Sequence, residues 1–274
     1  MRTPLIYTAA FFAAFIGLAA PLQSACCAAA QTADTPPTDP NSGPLQKILD
    51  HLQKNAAELV TCTSKIEYLF IQDPDLLDSH ALRQGTLYYL KSDDRSRVRL
   101  QFDTLKQDDF DEEKRPETYL FDGVWLTKVD YALEQADVYQ QAPEDKPLDA
   151  FDFISHHFPL VGFSGSKRFE TEFDVSLVET PSDDPNLAHL LLNVRKDSRY
   201  SKDYKNIDFW IDKTLYLPRR VRALSTQGDV YDIQFLDIQT NKKLEKRTFL
   251  VEIPGHFHKN IEPLKQEPET KGQD

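Results

Sequence analysis

The feature that most constrains this chain is a succession of about a dozen short segments that alternate apolar and polar residues or are rich in β-branched and aromatic ones. The expected strands are 66–72, 81–91, 97–103, 117–121, 124–130, 136–141, 173–179, 187–196, 207–212, 217–226, 230–239 and 247–253. Parallel neighbours need crossovers of a dozen or more residues, whereas most of these connections are short turns, so the strands must run antiparallel. Two turns carry local signatures: Asp122-Gly123 reads as a two-residue hairpin turn, and Gln227-Gly228-Asp229 joins two later strands. A sheet of this many strands curls or closes.

Two stretches break the pattern. From Leu45 to Val60 the apolar residues Leu45, Ile48, Leu49, Leu52, Ala56, Leu59 and Val60 follow a helical period, with Pro44 suited to the first turn. The opposite face is polar, so this helix must lie on an apolar surface. Residues 149–173 are apolar but irregular, which suggests one or two short helices around a loop containing Pro and Gly. The expected architecture is α+β: a curved antiparallel sheet forming an unclosed half β-barrel of about 11–12 strands, capped by the amino-terminal helix and a short central helical insertion.

Composition removes several functions. The 17 Phe, 11 Tyr and 2 Trp suffice for a sizeable core. There are only nine glycines, and none stands two residues from another, so a G-x-G-x-x-G turn is absent; no Gly-Lys pair is available for a phosphate loop. The net charge of −12 disfavours nucleic acid as a partner.

The amino end reads as an address. Met1-Arg2 precedes an apolar stretch, Leu5 to Ala20, and a small-residue run ending in Ala28-Ala29-Ala30. A basic start, an apolar middle and an A-x-A exit describe a secretory signal over 1–30. An uncleaved anchor is the alternative, because spanning takes about 20 apolar residues. Lipidation at Cys26 or Cys27 fits poorly, since Gln23 and Ser24 stand where an aliphatic residue belongs. Cleavage after Ala30 leaves Cys62 as the single cysteine, expected to be buried and structural. Residues 31–44 read as a flexible linker, 45–264 as one domain and 265–274 as a disordered tail.

Catalytic signatures are weak. Gly162-Phe163-Ser164-Gly165-Ser166 fails as a nucleophile elbow because Ser166 stands where glycine is needed. His156 with His157, and His256 with His258, can form a zinc site only if the fold joins the pairs. Asp73, Asp75 and Asp78, and the run Asp108 to Glu113, lack calcium-loop spacing. No metal, cofactor or enzymatic activity is expected.

The order of elements from Leu45 to Leu264 resembles the outer-membrane lipoprotein carrier (LolA-like) family. The resemblance is carried by the opening helix, Gly85 to Tyr89 (GTLYY), Arg95 to Phe102 (RSRVRLQF), Phe121 to Leu126 (FDGVWL), Ile207 to Val221, Gly228 to Asn241 and Phe249 to Phe257. It implies a periplasmic, monomeric, non-enzymatic carrier that holds a lipid or acylated lipoprotein between sheet and helices. An inner-membrane donor and an outer-membrane acceptor would complete its route. By the same resemblance Arg99 is the candidate latch for the helical lid, in competition with Arg95 and Arg97. Alternation puts Arg99 on the face opposite Val98, Leu100 and Phe102, so which face lines the cavity stays open. Candidate lipid-binding residues are Leu49, Leu52, Leu87, Tyr89, Trp125, Phe209 and Ile211. The alternatives are an envelope sensor that binds a partner peptide or lipid signal with the same fold, and an enzyme using histidine or carboxylate.

Overall fold

The computed structural model describes residues 43–77, 79–92, 95–154, 169–178 and 184–264. The signal peptide, most of the linker, His156, His157, Gly162 to Ser166, Asp78 and the tail from 265 lie outside the described residues.

Helix α1 spans Pro44–Ala57, starting as expected at a proline whose fixed φ suits the first turn. It buries Leu49, Leu52 and Ala56, three residues at helical spacing. His51 stacks on Tyr216 with centroids 4.3 Å apart, and the Asn55 side-chain amide donates to the Leu215 carbonyl at 2.7 Å. The helix is therefore pinned over the turn between two late strands.

The rest is one twelve-stranded sheet. The first six strands form a meander: β1 (Thr61–Ile71), β2 (His80–Lys91), β3 (Ser96–Gln107), β4 (Glu113–Phe121), β5 (Trp125–Asp130) and β6 (Gln135–Gln140). The next five form a second meander: β7 (Phe173–Leu177), β8 (Leu187–Val194), β9 (Tyr204–Asp212), β10 (Pro218–Ser225) and β11 (Val230–Thr240). The halves join where β11 pairs with β1, in the order β12-β6-β5-β4-β3-β2-β1-β11-β10-β9-β8-β7. The sheet is not closed, and β12 and β7 are its edges. The half-barrel α+β fold expected from the sequence is the observed one.

This topology explains the central insertion. β6 lies near one side of the sheet and β7 forms the opposite edge, so the chain between them must cross the sheet. It carries α2 (Ala150–Ile154) and α3 (Phe169–Glu172). Asp149 caps α2, accepting hydrogen bonds from the backbone N–H of Phe151 and Asp152 at 3.0 Å each.

The carboxyl end departs from expectation. Residues 247–253 do not form a strand; Lys246–Phe249 makes a single 3-10 turn, and the last strand, β12, is His258–Glu262. β11 already has partners on both sides, so the chain after it finds no open edge nearby. It travels to β6 and pairs in parallel, the one departure from antiparallel order. Two glycines occupy turns that require them: Gly123 has φ 97° and Gly228 φ 102°.

Candidate functional site

The register fixes which side chains share a face. Cys62, Tyr89, Val98, Phe121 and Leu126 stand opposite one another across β1 to β5, followed along the strands by Ser64, Leu87, Leu100 and Tyr119. In the other half Phe235, Ile233, Val221, Phe209, Ile207, Leu190 and Leu192 continue this face. These apolar residues are all buried, and Leu87, Phe121, Phe209, Leu190, Ile207, Val221 and Phe235 have no exposed surface. Strand alternation has gathered one apolar inner layer from both meanders.

A helical cover lies on that layer. Phe151 of α2 stacks on Tyr89 at 4.0 Å and Phe153 stacks on Phe121 at 3.9 Å. The Ser96 hydroxyl donates to Asp149 at 3.0 Å and accepts from the Ala150 N–H at 2.7 Å. From the other half of the sheet, Arg199 in the β8–β9 connection reaches Asp152 at 3.2 Å and Glu172 at 3.7 Å. α2 thus bridges the two halves through two aromatic stacks and a few polar ties.

Of the candidate lipid-binding residues, Leu87, Tyr89, Phe209 and Ile211 are in the inner layer, and Leu49 and Leu52 are buried on α1. Trp125 is placed otherwise: it precedes Leu126, which pairs with Phe121, so it stands on the outer face and its indole N–H donates to Glu144 at 2.7 Å. Arg99 is also on the outer face, because Val98, Leu100 and Phe102 point inward. Its guanidinium donates to the Thr248 carbonyl at 2.8 Å and to the Gln101 side chain at 2.9 Å. Its partner is the returning carboxyl-terminal segment, whose Phe249 is buried, and not the helical cover. Alternation fixed the opposition between Arg99 and its neighbours; only the cover told inside from outside.

An inward arginine escaped the sequence reading. Arg83 stands opposite Tyr68 across β2 and β1, on the face of Leu87 and Tyr89. The signal was present in the alternation of Arg83, Gly85, Leu87 and Tyr89. Gly85 marks a register shift against β3, and a Cβ there would lie 1.9 Å from the Gln101 carbonyl oxygen. Burial, the largest cause, raises the phenol of Tyr68 well above its ordinary value, with Arg83 acting the other way. Tyr119 and Tyr204 are raised by burial too, and Tyr231 is pushed up to about 12.

The described candidates for chemistry are placed as follows. Cys62 is buried, and burial pushes its thiol up to about 12, which keeps the thiolate out of reach at neutral pH. His256 and His258 are exposed, with Glu134 lying 3.9 Å from His256. Among the described residues no three His, Cys, Asp or Glu side chains gather as a metal site, and no helix is long and apolar enough to cross a membrane. Asp73 and Asp108 are engaged locally, accepting from the N–H groups of Asp75 and His80.

The chain therefore defines a class: an unclosed half-barrel whose apolar inner face is covered by helices, the architecture that the resemblance to LolA-like proteins implies. Among solved structures it is similar to an uncharacterized conserved protein from Thermus thermophilus, with 14% identity, 80% of this chain and 99% of that chain covered, and a TM-score of 0.46. It is also similar to a putative outer membrane lipoprotein-sorting protein domain from Vibrio parahaemolyticus (13% identity, 74% and 96% covered, TM-score 0.35). A third is a LolA superfamily protein from Nitrosomonas europaea (12% identity, 75% and 97% covered, TM-score 0.31). No protein-family model and no curated protein matches the sequence.

Proposed function

We propose that this chain is a non-enzymatic carrier of the cell envelope, exported by residues 1–30, that holds an acyl chain of a lipid or lipoprotein against the inner face of its half-barrel and delivers it to the outer membrane. The observation that carries this reading is an apolar inner layer gathered from both halves of the sheet with a helical cover laid on it. Among the described residues, α2 meets this apolar face through the stacks on Tyr89 and Phe121 and is tied down by Ser96 and Arg199. A second sheet would bury such a face permanently; a short helix can lift and let an acyl chain take its place.

The driving force is hydrophobic. Each methylene taken from water contributes about 0.8 kcal/mol, so a partly enclosed chain is held without covalent chemistry. Closure of α2 onto Tyr89 and Phe121 competes with cargo for the same surface, and that competition supplies the differential affinity that release requires. Arg99 holds the carboxyl-terminal segment to the back of the sheet, so its contribution to transfer is indirect.

The test is lipid extraction and mass spectrometry of the protein purified from its native envelope, with displacement of a fluorescent acyl probe from the purified chain. The expected result is a co-purifying acylated species and saturable probe binding weakened by Phe209→Trp, which adds bulk to the inner layer. Absence of both acylated species and probe binding would sink the carrier reading in favour of peptide recognition by the same fold.

A further inference from the structure

Charge is unevenly placed along the strands. The chain after β11 reads Asn241-Lys242-Lys243-Leu244-Glu245-Lys246-Arg247, four cations and one acid in a protein with a net charge of −12. All four cations are exposed. The run is fastened to the corner where α1 meets β1. There the Asn241 side chain accepts from the Val60 N–H at 2.8 Å and donates to the Glu58 carbonyl at 3.3 Å, and the Thr61 hydroxyl donates to the Lys242 carbonyl at 2.6 Å. Further on, the Thr248 carbonyl is held by Arg99 of β3, and Phe249 is buried. Neighbouring strands lie about 4.8 Å apart, so the run crosses from β1 over β2 to β3, a lateral distance of about 10 Å. Lys91, whose N–H donates to the Val60 carbonyl at 2.7 Å, adds a fifth exposed cation at the end of β2.

Two large apolar side chains flank these cations at the ends of the run: Val60 is 51% exposed and Leu250 67%. The acids of the same segments are Glu58 and Glu245, and Glu245 is paired with Arg247. Asp237, the next acid back along β11, is paired with Lys65 at 2.8 Å. A dense group of acids lies at the other end of the strands, where the β1–β2 loop carries Asp73 and Asp75 and the β3–β4 loop carries Asp108, Asp109, Asp111 and Glu112. The 11 residues of β1, at about 3.3 Å each, separate the two ends by about 35 Å. The Debye length at physiological salt is about 8 Å, so those acids do not govern the basic corner. Net charge therefore misstates what this corner attracts.

We infer that the run from Lys242 to Leu250, with Val60 and Lys91, is a docking surface for a bilayer containing anionic phospholipid. Its cations meet the headgroups, and Val60 and Leu250 enter the interface. A cationic surface alone would suit any polyanion. Exposed apolar side chains at both ends of it favour lipid, because the boundary between headgroups and acyl chains takes cations and apolar groups together. Each lysine or arginine near an anionic membrane surface contributes about a fivefold gain in partition, so this set gives reversible attachment. The docking surface lies on the outer corner of the sheet, apart from the inner face, and it stands or falls separately from the cargo reading.

The test is co-sedimentation of the protein, purified from its native envelope, with vesicles of phosphatidylcholine alone and of phosphatidylcholine mixed equally with phosphatidylglycerol. Binding to the anionic vesicles is expected to exceed binding to the neutral ones by on the order of a hundredfold, and to fall as salt rises. Lys242→Gln, Lys243→Gln and Lys246→Gln combined should weaken binding to the anionic vesicles by about a hundredfold, and Leu250→Ser by about tenfold. These four side chains are exposed, so each variant should keep its circular dichroism spectrum and its displacement of the acyl probe. Equal binding to the two kinds of vesicle overturns the docking surface, as does a triple variant that keeps the anionic preference. Retention on a polyglutamate matrix without vesicle binding assigns the corner to an acidic protein and overturns the lipid. Acyl-probe binding stays the separate measure of the carrier reading.

Discussion

At the scale of single residues, the inner layer is notable for phenols. Tyr68, Tyr89, Tyr119, Tyr204 and Tyr231 all have raised pKa values, and burial is the first cause in each. An unfolded tyrosine ionises near about pH 10. Because the folded values lie higher, the folded state keeps its protons where the unfolded state loses them. Stability carried by these groups is complete below about pH 10 and is lost as pH rises toward the folded values. Alkaline titration should therefore show tyrosinate absorbance appearing together with loss of near-ultraviolet circular dichroism. Ionisation of all eleven tyrosines ahead of unfolding would mean that the phenols are not sequestered. Residues of this kind were only half legible in the sequence. Alternation paired Tyr89 with Leu87 and opposed Arg99 to Val98, but it assigns relative faces only. Arg83 and Arg99 are each an arginine inside an alternating strand segment, and the helical cover alone tells which of them faces inward.

At the scale of elements, α2 is the part most dependent on tertiary partners. Its described residues are held by the Asp149 cap, the Ser96 link and the stacks on Tyr89 and Phe121. Asp149→Ala removes the cap and one partner of Ser96. The expected cost is about 1 kcal/mol, confined to the cover. Amide hydrogen exchange should accelerate at residues 151–154 by roughly fivefold at that cost, with β1 and β2 protection retained. Equal acceleration throughout the sheet would show that α2 is not an independent cover. The long elements were legible: α1 is specified by Pro44 and a three-to-four residue apolar spacing, and hairpins by Gly123 and Gly228. Residues 247–253 look like a strand because they are apolar and β-branched, yet a strand also needs an open edge, and that condition belongs to the sheet.

At the scale of the molecule, two long connections organise the fold. The β6–β7 connection carries the cover, and the segment after β11 runs behind the sheet, where Arg99 holds Thr248, and ends as β12 on the edge of β6. Thr118, Val129 and Ala136 are buried on the face opposite the cover, and parallel pairing with β12 protects β6. A chain ending at Leu244 is therefore expected to keep its strands, bind a hydrophobic dye more strongly and self-associate as concentration rises. Sedimentation and dye fluorescence read this directly. A truncated chain that stays monomeric with unchanged dye binding would show that the segment protects nothing.

What the sequence determined by itself was local and periodic: which segments before residue 241 are strands, how side chains alternate along each strand, where the tight turns fall and where the first helix begins. Those properties follow from side-chain alternation and backbone preference within a few residues. The tertiary structure decided which face is the inside, where the last strand finds an edge, and that Val60 and Lys91 meet the basic run after β11. These depend on pairings between residues far apart in the chain, and a period of two is indifferent to which of its faces a helix will cover.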